Sequence, residues 1–216
     1  MLVIFDLDGT LLYTIRDLSN AANHALAVNG YPTRSEAECL RFVGNGISKL
    51  LERALPKGEK TIQNVEKIRP AFLSYYGEHL ADNTTPYEGI LPIINTLQER
   101  KIKQAVASNK YHEATCYLIH RFFPNISFGA VLGQRKGYPV KPDPQIVEEI
   151  LRLCGETKQA CLYVGDSDVD IQTARNAGVR VCGVTWGFRT RSELSACRPD
   201  YLVDSPQELL TVIERF

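Results

Sequence analysis

The chain has 216 residues, 44% of them hydrophobic, with 25 basic residues balancing 25 acidic ones. That suffices for one large domain or a domain with an insertion, while zero formal charge provides no overall field to draw nucleic acid or a membrane surface. No apolar run reaches the roughly 20 residues of a membrane span, and the first residues lack the basic flank and small-residue cleavage site of a signal peptide, so a cytoplasmic protein is expected.

In chain order, Leu2-Val3-Ile4-Phe5 predicts a first strand, followed at once by Asp6, Asp8, Gly9 and Thr10. From residue 15 to 81 no strand pattern occurs. Leu18, Ala22 and Leu26, then Leu50, Leu51 and Leu55, then Ile62, Val65, Ile68 and Phe72 instead recur at helical spacing. Thr14 and Asp17 fit a capping box that would start the first of these helices. The polar stretch 81–90, with its proline and glycine, predicts a linker.

Beyond it, Ile90, Ile93, Ile94 and Leu97 predict a helix, residues 104–108 a strand, Ala114, Tyr117, Leu118 and Phe122 a helix, and residues 128–132 a strand. Asp143-Pro144 has the form of an N-cap and first-turn proline, and Ala177-Gly178 that of a helix stop. Residues 161–165, 179–184 and 201–203 complete the set of apolar runs. The alternation predicts an α/β fold with a doubly wound parallel sheet built from residues 1–14 and 82–216, interrupted by an all-helical domain over 15–81. The six cysteines have no CxxC spacing and are expected to be reduced; the four histidines form no HxH or HExxH pattern, which argues against a histidine metal centre.

Ligands of such sheets bind beyond the carboxyl ends of the strands. There the chain places Asp6, Asp8, Gly9 and Thr10 after the first strand, Ser108, Asn109 and Lys110 after the second, Lys141 in a loop, and Asp166, Ser167, Asp168 and Asp170 after residues 161–165. Several carboxylates at one edge repel unless a cation joins them, and hard oxygen ligands without histidine or cysteine suit Mg²⁺. Magnesium, a lysine and small hydroxyl or amide donors are the ingredients of phosphoryl transfer.

No P-loop is present: residues 133–139 lack its Gly-Lys-Ser/Thr ending. A carboxylate can itself attack phosphorus, and Asp6 at the strand end is placed for that. Asp8, two residues on, can hold a proton for the leaving alcohol and later take one from water. Gly9 permits the turn that brings the two acids together. A calcium loop at 166–177 fails twice, because Ile171 stands at its glycine position and Ala177 at its glutamate.

The segments DLDGT (6–10), VASNK (106–110), KPDP (141–144) and VGDSDVD (164–170) resemble the four ordered motifs of the haloacid dehalogenase superfamily. The helical insertion resembles the cap of its first subclass, and FVGNGI (42–47) resembles its phosphoglycolate phosphatase-like members. The resemblance implies Asp6 as nucleophile and Mg²⁺ ligand, and Asp8 as general acid/base whose backbone carbonyl also meets the metal. Ser108, the Asn109 backbone and Lys141 would hold the phosphoryl group, with Thr10 beside them orienting the first motif. Asp166 would bind the metal directly and Asp170 directly or through water, while Asp168 has no such role.

The substrate implied is a small phosphorylated metabolite, 2-phosphoglycolate being the first candidate, with neither nucleic acid nor membrane as partner. A phosphomutase of the same superfamily and a non-catalytic phosphate-binding module are the alternatives; the presence of Asp8 argues against the latter, because binding needs no general acid. Relatives commonly carry Asp-Ser where this chain has Tyr13-Thr14, and Tyr13 is expected to pack at the hinge, with a contact to substrate as the alternative. Asn45, Gly46 and Lys49 are candidate substrate contacts in the helical insertion.

Overall fold

The computed structural model describes residues 1–216. The chain folds as two compact units, one of residues 1–13 and 86–216 and the other of residues 14–85.

In the first unit the chain runs through β1 (Leu2–Phe5) and β2 (Leu12–Tyr13) and, after the second unit, resumes in α5 (Ile90–Glu99), β4 (Lys103–Tyr111), α6 (His112–Phe122), β5 (Ala130–Gln134) and α7 (Gln145–Cys154). It continues through β6 (Cys161–Gly165), α8 (Asp168–Ala177), β7 (Arg180–Val184), α9 (Arg191–Ala196), β8 (Tyr201–Val203) and α10 (Pro206–Glu214). The six longer strands form one parallel sheet in the order β5-β4-β1-β6-β7-β8. From β1 the chain adds β4 and β5 on one side and then β6, β7 and β8 on the other, so the β1/β6 boundary is the topological switch point where ligands of doubly wound sheets bind.

Every residue of β1 is fully buried because helices cover both faces, which is why it reads as an unbroken apolar run rather than an alternation. On one face Leu2, Ile4, Ala105, Ala107, Cys161 and Tyr163 pack with Val147 and Ile150 of α7 and Ile171 and Ala174 of α8. Right-handed crossovers place α5 and α6 on the other face, where α5 also meets α10.

The second unit holds α1 (Ile15–Val28), α2 (Glu36–Phe42), α3 (Gly46–Ala54) and α4 (Ile62–Glu78); β3 (Thr85–Pro86) lies at its exit. Helix α2 escaped the periodicity reading because only Cys39 of its seven residues is buried. What marks it is its start, a capping box between Ser35 and Glu38.

The capping box expected from Thr14 and Asp17 does not form. Thr14 is the N-cap of α1 but makes no side-chain capping bond. The Asp17 carboxylate instead accepts from the Asn83 N–H (3.0 Å) and amide (2.8 Å) and from the Thr84 N–H and hydroxyl (both 2.8 Å). This tie draws residues 83 and 84 onto α1, and the helical unit therefore extends to Thr85 rather than ending at 81.

At α7, Pro144 is the N-cap and Asp143 lies one residue earlier, accepting from the Gln145 N–H at 2.9 Å. Gly178 ends α8 at φ +71°, as its position after Ala177 predicts. The six cysteines are free thiols. No helix is long and apolar enough to cross a membrane.

Candidate active site

The site begins where β1 ends. The Asp6 N–H donates to the Val164 carbonyl (2.9 Å), prolonging the ladder to β6 by one residue and fixing the Asp6 backbone. The chain then turns tightly: the Leu7 carbonyl accepts from the amides of Thr10, Leu11 and Leu12, and the Gly9 N–H donates to the Leu12 carbonyl. Gly9 adopts φ +89°, and a Cβ there would lie 2.3 Å from Asp166 Oδ2, so both conformation and space demand glycine. The turn sends Asp6 and Asp8 to different partners.

Asp6 Oδ1 accepts from the Leu7 N–H (2.7 Å) and lies 2.9 Å from the Lys141 ammonium. Asp8 Oδ1 lies 3.0 Å from the Lys110 ammonium. Each acid of the pair thus has its own lysine, and both lysine side chains are only 2% exposed.

Lys141 is the hub. Besides Asp6, its Nζ donates to Asp170 Oδ1 (2.7 Å), the Tyr163 hydroxyl (3.0 Å) and the Ala107 carbonyl (3.1 Å). The loop carrying it is gripped by the Asn109 side chain, whose Oδ1 accepts from the Lys141 N–H (2.8 Å) and whose amide donates to the Lys141 carbonyl (3.1 Å). Asp170 is fully buried and uses both oxygens: Oδ1 meets Lys141 and the Tyr163 hydroxyl, while Oδ2 accepts from the Ser167 N–H (3.1 Å) and hydroxyl (2.6 Å).

Asp166, 1% exposed, follows β6. Its Oδ1 accepts from the Thr10 hydroxyl (3.3 Å) and its Oδ2 from the Phe188 N–H (2.7 Å). The loop after β7 closes over it. Trp186 donates its indole N–H to the Thr10 carbonyl (3.0 Å), and at Gly187 a Cβ would fall 2.3 Å from Asp166 Cβ and 2.4 Å from the Gly9 carbonyl oxygen.

Ligand oxygens of Asp6, Asp166 and Asp170 lie within 4.8 Å of one another. Burial, then Asp170, Asp166 and Asp8, push the Asp6 carboxyl well above the usual carboxylate range against the pull of Lys141. Burial and Asp170 raise Asp166 to about 7, the Phe188 N–H opposing. Burial would lower the Lys141 ammonium, but Asp170 and Asp6 outweigh it and hold it well above its ordinary value. Asp6, Asp8, Asp166 and Asp170 outnumber Lys110 and Lys141, the lysines that face them, so a cation would favour the ionised form of the cluster. An all-oxygen donor set with this excess fits Mg²⁺.

Of the expected residues, Asp6, Asp8, Ser108, Asn109, Lys141, Asp166 and Asp170 gather at the carboxyl ends of β1, β4 and β6, Ser108 and Asn109 lying within the last residues of β4 rather than after it as expected. Thr10 is fully buried with its hydroxyl directed at Asp166. Asp168 is exposed and lies 3.8 Å from Arg189. Tyr13 packs edge-on against Tyr87, ring centroids 5.9 Å apart. In the helical unit Asn45 accepts from Arg53 (2.8 Å) and Lys49 pairs with Glu52 (2.6 Å).

Sequence reasoning missed Tyr163, the 186–188 loop and the pairing of Lys110 with Asp8. A tyrosine inside a buried strand needs a partner for its hydroxyl, and residues following β7 belong at the same sheet edge as those following β6; either signal would have found them. Tyr87 was missed as well. Burial raises its phenol, and Asp166, Tyr13 and Asp8 add to the shift.

A family model described as haloacid dehalogenase-like hydrolase matches residues 3–184. The chain belongs to this family. A phosphoglycolate phosphatase of Mesorhizobium japonicum is 34% identical over 192 residues, covering 88% of this chain and 85% of the relative. One from Haemophilus influenzae is 32% identical over 218 residues, covering 98% and 97%. A crystal structure of a protein from Lactobacillus delbrueckii subsp. bulgaricus superimposes with a TM-score of 0.92 at 32% identity, covering 98% of this chain and 97% of that one. The haloacid dehalogenase-like chain described here is a phosphoric monoester hydrolase resembling the phosphoglycolate phosphatases.

Proposed function

We propose that this hydrolase is a Mg²⁺-dependent phosphatase that cleaves a small phosphorylated metabolite, 2-phosphoglycolate first among the candidates, through a phosphorylated Asp6. The observation that carries the reading is the division of Asp6 and Asp8 between two buried lysines at one strand end, beside a carboxylate cluster that outnumbers the lysines facing it. Such an arrangement separates the attacking group from the proton carrier.

Asp6 Oδ1 is held by Leu7 and Lys141, which leaves Oδ2 as the attacking oxygen. As the bond from Oδ2 to phosphorus forms and the bond to the substrate alcohol breaks, Asp8 gives its proton to the departing oxygen. Water then attacks the aspartyl-phosphate, Asp8 takes the water's proton, and phosphate leaves with Asp6 restored. The Ser108 hydroxyl, the Asn109 backbone N–H and Lys141 hold the phosphoryl oxygens.

Asp6, Asp166 and the Asp8 backbone carbonyl would hold Mg²⁺, which would supply charge neutralisation at the transferring phosphoryl group. Both oxygens of Asp170 already take protein donors, so its main role is to hold Lys141, and it would support the ion from behind Asp6 and Asp166. Thr10 orients Asp166 rather than meeting phosphate.

The test is a panel of phosphorylated acids, sugars and nucleotides assayed for phosphate release with and without Mg²⁺. Release that requires Mg²⁺ and is greatest with a small phosphorylated acid is expected; no release from any compound overturns the proposal.

A further inference from the structure

Near its carboxyl end, β4 loses its regular pairing with β5, the register shifting between Ala107 and Tyr111. In this irregular stretch the three successive side chains go to three different targets. Ser108 Oγ turns back to accept the Lys110 N–H (3.1 Å), Asn109 grips the Lys141 backbone, and Lys110 reaches Asp8. The Lys110 backbone is itself clamped, since its carbonyl accepts from the Thr115 hydroxyl (3.3 Å) and packs so closely on Gly133 that a Cβ there would lie 2.6 Å from it. A long, flexible side chain is thereby launched from a fixed point and ends, 2% exposed, 3.0 Å from Asp8 Oδ1.

A lysine so deeply buried needs a counter-ion, and this one has a functional carboxylate where a structural one would have served. We propose that Lys110 is the positioning residue for Asp8: by holding Oδ1 it sets the plane of the carboxyl group, and so the place from which the proton reaches the departing oxygen. This rests on the reading of Asp8 as the proton carrier. In the step it assists, the bond from Asp6 to phosphorus forms, the bond from phosphorus to the alcohol oxygen breaks, and the proton passes from Asp8 to that oxygen; Lys110 neither gains nor loses one. Lys141 serves Asp6 and the phosphoryl group, so the two lysines are not interchangeable.

The test compares 2-phosphoglycolate, whose alkoxide must be protonated as it leaves, with 4-nitrophenyl phosphate, whose phenolate departs without a proton. The quantity read is kcat/KM, which reports the first chemical step. Lys110→Met is expected to lower it about 30-fold for 2-phosphoglycolate and less than about threefold for 4-nitrophenyl phosphate, with KM nearly unchanged. Lys110→Arg, which keeps a cation, is expected to recover part of the loss and, should Lys110→Met not fold, carries the same contrast alone. Equal losses on both substrates, or a loss lying wholly in KM, overturn the proposal, the latter by making Lys110 a substrate contact. Wild-type enzyme inactive on both compounds overturns the phosphatase reading and this proposal with it, an outcome distinct from active wild type with parallel losses.

Discussion

Two buried carboxylate sites, one in each unit, are built on opposite principles. Asp17 in the helical unit is 1% exposed and takes its donors entirely from the neutral groups of Asn83 and Thr84. The cluster around Asp6, Asp166 and Asp170 also lies within the protein, but its carboxylates outnumber the lysines that face them. A carboxylate whose hydrogen bonds are satisfied locks two chain segments together, whereas a surplus of like charge is tolerated only where a cation or a bound proton balances it. The first arrangement serves stability and the second chemistry, although the residue type is the same.

The comparison breaks most sharply with substitutions that exchange the two outcomes. Asp6→Asn is expected to lower phosphate release on the order of 10⁴-fold or more while leaving the melting temperature of the metal-free protein equal or higher, because it removes the nucleophile and one of the mutually repelling charges together. Steady-state assays and calorimetry check both halves; a large loss of stability would mean that Asp6 is a structural anchor.

Asp17→Ala should do the reverse. Leaving the Asn83 and Thr84 donors without their acceptor is expected to cost about 3 kcal/mol of stability. Turnover by the molecules that remain folded should change far less than in Asp6→Asn. Denaturant melts followed beside activity decide this, and full stability in the variant would deny that the tie matters.

A smaller effect separates the sites by pH. With Asp166 raised to about 7 in the folded chain against an ordinary value of 3.8, the folded state binds the extra proton between those limits. Its contribution to stability is therefore complete at low pH and lost as pH rises through 7. Between pH 6 and pH 8 the metal-free protein should lose about 1 kcal/mol, or roughly 3 °C in melting temperature, and Asp6, also raised, pushes the same way. Saturating Mg²⁺ should flatten or reverse that slope by taking the proton's place. A metal-free slope of opposite sign would show that the cluster is ionised without a cation.

Much of this was readable along the chain. The runs at 2–5, 161–165 and 201–203 coincide with β1, β6 and β8 to the residue; for β1 and β6 the reason is that a strand covered on both faces leaves an apolar signal too dense to mistake. The four polar segments were assembled on one edge by topology alone. Helix α2 was not readable, because a surface helix with one buried residue has no periodic face. At Thr14 and Asp17 a local spacing rule failed because a competing partner 66 residues away took the carboxylate.

By itself, then, the sequence determined which strands form the main sheet, that they run parallel, and which acids, hydroxyls and lysines lie at or beyond their ends, since burial and the direction of crossover connections follow from local pattern. Only the tertiary structure decided the pairings. Thr10 meets Asp166 across 156 residues, Lys141 rather than Lys110 takes Asp6, and the loop after β7 shuts over Asp166 through a glycine. Those choices depend on contacts between segments brought together from distant parts of the chain, and no spacing along the chain encodes them.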